Sequence, residues 1–296
     1  MNIQKAYDLF MQEQKFRGNS PETISYYRIC LNMFIDYCGS DLNISDLDLI
    51  LFKGYQLHLN ETKNIKRVSV QTYTRAVRVF YRYLYDVDLL EIDVNKLKLI
   101  KANREVILPL SDSEVKQLLA VFDDSVLGVR DKLICMLMLD CGLRRGEVVN
   151  LKNRDINFNN NTLFLNGKGG KQRIVPFGDT VKKQLILYKS YRPVDWMQDY
   201  DSFFLTNLSS PITNNTVKMV FQDLKERSGI PRIYPHLLRH TFATNYIYNG
   251  GNLEVLRVLL GHSSISITQI YIHLAAQMHL INDKYNSHLD NLNRTP

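Results

Sequence analysis

The sequence is poor in the residues that staple small domains or hold metals. It has 4 cysteines, Cys30, Cys38, Cys135 and Cys141, and no two stand at a C-x-x-C interval. That rules out a zinc-ribbon or disulfide framework and leaves buried apolar thiols in a reducing compartment. No histidine, cysteine or carboxylate cluster has metal-ligand spacing, so no metal is expected. Long apolar runs are absent as well. The longest, LICMLML at residues 133–139, is far too short to cross a bilayer. The opening residues, MNIQKAYDLF, lack a secretory apolar core and cleavage site. A cytoplasmic protein with no membrane partner is therefore expected. There is no internal repeat and no low-complexity segment. With 14 glycines and 8 prolines among 296 residues, the chain should bury real cores, in one large domain or two ordinary ones.

Basic residues are present in excess. Lysine and arginine number 37 against 30 acidic residues, giving a net charge of +7 and a pI near 9.1. Such a balance favours a polyanionic partner.

The first 95 residues read as four helices. Ile3, Tyr7 and Phe10 form one stripe, stopped at Gly18. Ser20-Pro21-Glu22 is a start signal: serine caps, proline takes the first helical position, and glutamate complements the dipole. Ile24, Tyr27, Leu31 and Phe34 follow at helical spacing. Ser45 is expected to cap a third helix carrying Leu49, Leu51 and Tyr55. A fourth begins near Ser69 with Tyr73, Val77, Phe80 and Leu84. Lys63, Lys66, Arg67, Arg75, Arg78 and Arg82 crowd its start and exposed face. Residues 96–108 have no amphipathic period and read as a basic linker.

A second domain is expected over 109–296. Ser111 and Glu114 have capping-box spacing, and helices follow around 115–122 and 129–139. Then the period shortens. Residues 156–158, 162–165 and 173–176 are β-prone runs separated by Asn159-Asn160-Asn161 and by Gly167 to Gly170. They predict a small antiparallel sheet of two hairpins, with Lys168 at the tip of the second. Helices resume at 181–188 and 213–228. No pattern assigns residues 191–203, which hold the lone Trp196. The fold class is thus mainly α with a small antiparallel sheet.

The chemistry concentrates in residues 235–273, PHLLRHTFATNYIYNGGNLEVLRVLLGHSSISITQIYIH. Pro235 suits the first helical position, and His236 and Arg239, three apart, would project from one face. Gly261 reads as the left-handed stop of the LEVLRVLL helix, leaving His262 just past its end. Tyr271 lies nine residues further on. Positive charge, imidazoles and a phenol suit attack on a phosphate. Two earlier pieces belong with them: CGLRRGE at 141–147 and NGKGGKQR at 166–173.

Together these resemble the GLR-x-x-E, GKG-x-K-x-R, H-x-x-R, LGH and Q-x-Y-x-H motifs of the tyrosine recombinase (phage integrase) family. They occur in the family's order over residues 139–273, and the likeness is greatest to compact Xer-type and transposon-encoded members. The resemblance implies an N-terminal SAM-like core-binding domain (1–95) and a C-terminal catalytic domain. In it Tyr271 is the nucleophile, forming a 3′-phosphotyrosyl link and releasing a 5′ hydroxyl. Arg144 and Arg239 clamp the phosphate, and His236 and His262 bond it or assist proton transfer. Lys168 is the general acid. Glu147 orients an arginine or histidine, while Lys171 and Arg173 contact phosphates. His240 and His273 fall outside the matched positions and read as structural. No metal, ATP or other cofactor is needed, because the covalent link conserves the phosphodiester. The implied partner is duplex DNA with inverted half-sites, clamped with help from the basic face of the fourth helix. Four protomers would assemble on two sites and exchange strands through a Holliday junction, with an accessory or partner recombinase as a further option. An amphipathic stripe of Leu274, Met278, Ile281, Tyr285, Leu289 and Leu292 predicts a tail helix from about 275. It would dock on its own domain or, as in family members, on a neighbour. Two rival readings stay open: a type IB-like topoisomerase or nicking enzyme, and a DNA-binding regulator without catalysis.

Overall fold

The computed structural model describes residues 1–102, 106–167, 172–192, 201–207 and 210–282. The chain divides into two compact units, Met1–Val106 and Ile107–Pro296.

The first unit is helical. Helix α1 (Ile3–Phe16) buries Ile3, Tyr7 and Phe10, and Asn2 caps it by accepting from Lys5 N. Helix α2 (Pro21–Cys38) starts as the sequence predicts, with Ser20 accepting from Thr23 N and Pro21 in the first turn. Helix α3 (Leu49–Leu57) does not use Ser45, which sits inside a short 3-10 turn, Ile44–Asp46. Asp48 caps instead, its carboxylate accepting from Leu51 N at 2.7 Å. A carboxylate directly before an apolar run complements both the free N–H groups and the dipole. Helix α3 passes into a π-helical turn, His58–Thr62. Helix α4 (Arg67–Asp86) buries Val70, Val77, Phe80 and Leu84 on one side. Lys63, Lys66, Arg67, Arg75 and Arg82 are exposed, and Arg78 is partly so. Phe10, Phe34, Phe52, Tyr55, Phe80 and Tyr81 pack edge to face in the centre. Each such ring contributes roughly 1.5–3 kcal/mol by leaving water.

The expected linker starts later than residue 96. Leu97 is only 1% exposed and belongs to this core. The Gln56 carboxamide donates to Lys98 O and accepts from Ile100 N, and Gln71 donates to Ile100 O. Buried Gln56 and half-buried Gln71 thus hold residues 97–100 on the helical unit, a contact no periodicity reveals.

The second unit opens with α5 (Asp112–Ala120), where the Ser111–Glu114 capping box is complete. Helix α6 (Val126–Asp140) is buried nearly all round and forms the spine. After the short α7 (Arg145–Val149) comes the sheet: β1 (Ile156–Asn157), β2 (Thr162–Asn166) and β3 (Gln172–Pro176), antiparallel in that order. The register pairs Leu163 with Val175 and Leu165 with Arg173, and all four face inward. Helices α8 (Asp179–Tyr191) and α9 (Asn214–Arg227) complete the main core. The chain ends in α10 (Pro235–Tyr248), α11 (Leu253–Leu260), α12 (Ile265–Thr268) and α13 (Ile270–Asn282).

Helix α13 carries both Tyr271 and the start of the expected tail. Leu274 and Ala275 are buried, and the His279 ring stacks on Tyr248 of α10 at 4.2 Å. This stretch therefore packs on its own domain. Met278 of the predicted stripe is half-buried; the side chain of Ile281, and Tyr285, Leu289 and Leu292, lie outside the described residues. Among the described residues, no single helix is long and apolar enough to cross a membrane.

Candidate active site

Main-chain carbonyls hold the site together. Pro235 opens α10, so His236 and Arg239 leave its first turn on one side, as the spacing predicts. Arg239 is 4% exposed. Its guanidinium donates to the carbonyls of Gly142 and Leu260 and approaches Glu147 Oε2 at 3.9 Å. Burial, and then Arg144 nearby, push its pKa down to about 9, so it still carries its charge at neutral pH.

Arg144 stands immediately before α7. Its backbone N–H and Nη1 both donate to Glu147, and Nη2 donates to Gly261 O at 3.3 Å. The guanidinium is about a third exposed, so one side stays open to a ligand. Its neighbour Arg145 is exposed and drawn into none of these bonds.

Glu147 is buried among three arginines. Burial alone would raise its pKa. The hydrogen bonds and charge of Arg173, then the Arg144 backbone and charge, outweigh this and hold it below the usual carboxylate value. It is ionised and takes hydrogen bonds from Arg144 and Arg173.

Arg173 departs from expectation. A phosphate contact needs an open guanidinium, yet its side chain is 6% exposed. Nη1 and Nη2 grip Glu147 at 2.5 and 2.8 Å, and Nε donates to Leu259 O at 2.7 Å. The pleat explains the difference: Arg173 lies two residues before Val175 and shares its inward face. Lys168 and Lys171, between β2 and β3 in sequence, lie outside the described residues.

The end of α11 presents His262. Gly261 is left-handed (φ 60°, ψ 46°), with His262 N bonded to Arg257 O and Gly261 N to Val258 O. This is the glycine stop expected from the sequence, in its doubly bonded form. The His262 Nδ1 lies 2.9 Å from Thr268 Oγ1, and Nε2 lies 3.4 Å from Arg239 Nη2. A guanidinium only donates, so Nε2 accepts and Nδ1–H points to the buried threonine. Burial first, and then Arg239 and Arg144, push the ring's pKa down to about 4. His236, on the outer rim, is also held below its ordinary value, by loss of solvent and by Arg239, Arg144 and Arg145. Both imidazoles are neutral at pH 7.

Tyr271 is 7% exposed and packs with Ala243, Leu256, Leu260 and Leu274. Burial raises its pKa, while the charges of Arg239 and Arg144 pull the other way. The phenol thus sits within the field of both arginines. The structure brings Arg144, Arg239, His236, His262, Glu147 and Tyr271 into one cluster. His240 is structural, as read: Nε2 lies 2.7 Å from Ile107 O and the ring rests against Tyr271. His273 is exposed instead, because two residues on from the buried Tyr271 it falls nearly opposite that side chain on α13. Sequence reasoning missed Thr268, the group that fixes the His262 tautomer. Its place in the T-Q-I-Y stretch was the available signal.

Residues 108–278 match the phage integrase family, and residues 7–91 match its N-terminal SAM-like domain. The chain belongs to the phage integrase family. It is a tyrosine recombinase of the Xer type, similar to the tyrosine recombinase XerC of Bacillus pumilus at 31% identity over 93% of each chain. XerC of Staphylococcus saprophyticus is 33% identical over 92% of each. Among solved structures, XerA recombinase aligns over 94% of this chain and 98% of its own at 25% identity, with a TM-score of 0.52. The Tn1549 transposon integrase, solved with a circular intermediate DNA, shares the fold at a TM-score of 0.76 and 18% identity, covering 95% and 99%.

The recombinase site is built for charge. Glu147 contributes one negative charge against the three positive charges of Arg144, Arg173 and Arg239. The surplus is preorganised by main-chain oxygens that do not titrate, which suits stabilisation of a phosphoryl transition state.

Proposed function

We propose that this recombinase cuts and rejoins duplex DNA at a specific site through a covalent link on Tyr271. The observation that carries the reading is the placement of that phenol near Arg239 and Arg144, the arginines that also flank His262. Tyr271 Oη attacks phosphorus and the 5′ oxygen departs, leaving a 3′-phosphotyrosyl bond. Arg144 and Arg239 hold the non-bridging oxygens. Neutral His236 and His262 suit hydrogen bonding and proton transfer better than added charge. Lys168 is assigned the proton to the leaving oxygen. The basic residues Lys63, Lys66, Arg67, Arg75, Arg78 and Arg82 are assigned phosphate contacts that set register on inverted half-sites. Four protomers on two sites, pairwise exchange through a Holliday junction, and service in dimer resolution or mobile-element movement complete the proposal.

The test is a nicked suicide substrate that traps the covalent adduct. Tyr271→Phe should lose the adduct entirely while binding DNA nearly as well as the unmodified enzyme. An adduct that persists would move the nucleophile elsewhere. Relaxation of a plasmid lacking any recombination site would favour type IB-like topoisomerase activity.

A further inference from the structure

We infer that Arg173 is a positioning residue for strand cleavage, acting through Glu147 to keep Arg144 and Arg239 available to the scissile phosphate. The inference rests on the recombinase reading above and goes beyond it.

Glu147 is buried, ionised and within reach of three guanidinium groups. Two of them belong to the phosphate clamp. A buried carboxylate so close competes with phosphate for the same donors. Arg173 answers that competition. It takes both carboxylate oxygens in a two-pronged grip at 2.5 and 2.8 Å, while Arg144 Nη1 holds one oxygen at 3.0 Å and Arg239 stays back at 3.9 Å. A fork matching both oxygens is the strongest pairing a carboxylate finds. Glu147 is therefore satisfied mainly by Arg173, and Arg144 shares only Oε1 with it. The third donor of Arg173, Nε, ties this pair to Leu259 O, two residues before the turn that presents His262. Arg173 also lies on β3, paired with Leu165 of β2. One side chain thus fixes the charge of Glu147 and links β3 to the end of α11.

Charge bookkeeping gives a distinctive expectation. The four groups sum to +2. Arg173→Met leaves +1 and frees Glu147 to pull Arg144 and Arg239 inward. Arg173→Met with Glu147→Gln returns the sum to +2 and removes the competitor, while the amide oxygen still accepts from Arg144. Partners that orient catalytic ligands from behind typically matter about 10- to 100-fold. Arg173→Met should therefore slow single-turnover cleavage of a suicide substrate by about that factor, with DNA affinity within about threefold of the unmodified enzyme. A substrate with 5′-bridging sulfur should not rescue it, since the defect lies in phosphate charge and not in the leaving group. The double variant should recover most of the lost rate, a non-additivity that independent sites do not show.

Unmodified cleavage by Arg173→Met would overturn the proposal. So would a double variant as slow as Arg173→Met, or rescue by sulfur, which would place the effect on Lys168. If Arg173→Met fails to fold, the double variant decides: folding with near-normal cleavage supports the inference, and a second failure assigns Arg173 to folding alone. Absence of adduct from the unmodified enzyme would defeat the recombinase reading and this inference together. Normal adduct without rescue defeats only the inference.

Discussion

Gly261→Ala should separate the stability of the turn after α11 from its role in cleavage. The glycine sits at φ 60°, where an L-residue with a side chain costs roughly 1–2 kcal/mol. In a unit of this size that lowers Tm by about 2–8 °C. A second effect concerns the site. An added Cβ would stand 3.2 Å from Arg173 Cδ, 3.4 Å from Arg173 Nη1 and 3.6 Å from Arg144 Nη1. Arg173 must yield by some tenths of an ångström, Arg144 is only brought into contact, and the Gly261 carbonyl that holds Arg144 moves with the turn. Small displacements of positioning groups cost up to about 10²-fold in rate. Cleavage by Gly261→Ala is expected to fall between about 10- and 100-fold. Gly250→Ala supplies the control. Gly250 also has positive φ, at 82°, but nothing lies within 4 Å of its added Cβ. It should show a similar loss of Tm with cleavage unchanged. The assays are thermal melting and single-turnover adduct formation on the same preparations. Equal cleavage by the two variants, both near the unmodified rate, would refute the claim that this turn positions the arginines.

Other outcomes follow from the same geometry. The His262 pKa of about 4 in the folded protein lies below its free value near 6.5. The unfolded chain therefore takes up a proton first as pH falls, and stability should drop between about pH 6.5 and 4. Solvent screening on the ring's open side leaves this at about 2 kcal/mol, and His262→Asn should flatten the slope in denaturant melts. Arg75→Ala with Arg78→Ala should weaken binding to all sequences and reduce the salt slope by about 1 per lost phosphate contact; an unchanged slope would make that face plain solvation. Lys168→Ala should slow cleavage by about 10²–10⁴-fold, and a 5′-bridging sulfur should restore it while leaving Arg144→Ala and Arg239→Ala slow. Truncation after Asn282 should spare folding and binding by one protomer but lose cooperative pairing on two half-sites, as read by gel shift. Pairing as tight as that of the full chain would exclude docking in trans.

Much of the fold is written locally. Ser20-Pro21 and Ser111-x-x-Glu114 start their helices where the pattern says, because capping depends on residues within one turn. The site's main members were legible because their motifs fix position along helices and turns: His236 and Arg239 on one turn, Gly261 as a left-handed stop. What failed was tertiary. The Gln56 and Gln71 side chains that hold residues 97–100 act across more than 25 positions of sequence. The role of Arg173 was half legible, since strand alternation already placed it on the face of Val175. A basic residue in a glycine-flanked motif suggested an open phosphate contact, and nothing local named the buried carboxylate waiting for it. The apolar stripe marked Leu274, but no pattern chose its own domain over a neighbour or placed it beside Tyr271.

The carbonyls of Gly142, Leu259, Leu260 and Gly261 are the anchors of three arginines. Every residue type supplies the same carbonyl. Leu259 and Leu260 are therefore held to their type by packing alone, whereas Gly142 and Gly261, both at positive φ, are required by the turns that carry their carbonyls. Selection has to preserve the path of the backbone, the site's side chains and those two glycines, and less of the wording in between. An architecture of that kind tolerates long divergence, and it tells an engineer where to work. The outward positions of α11, such as Val255 and Val258, are the places to graft new surface chemistry without disturbing the chemistry underneath.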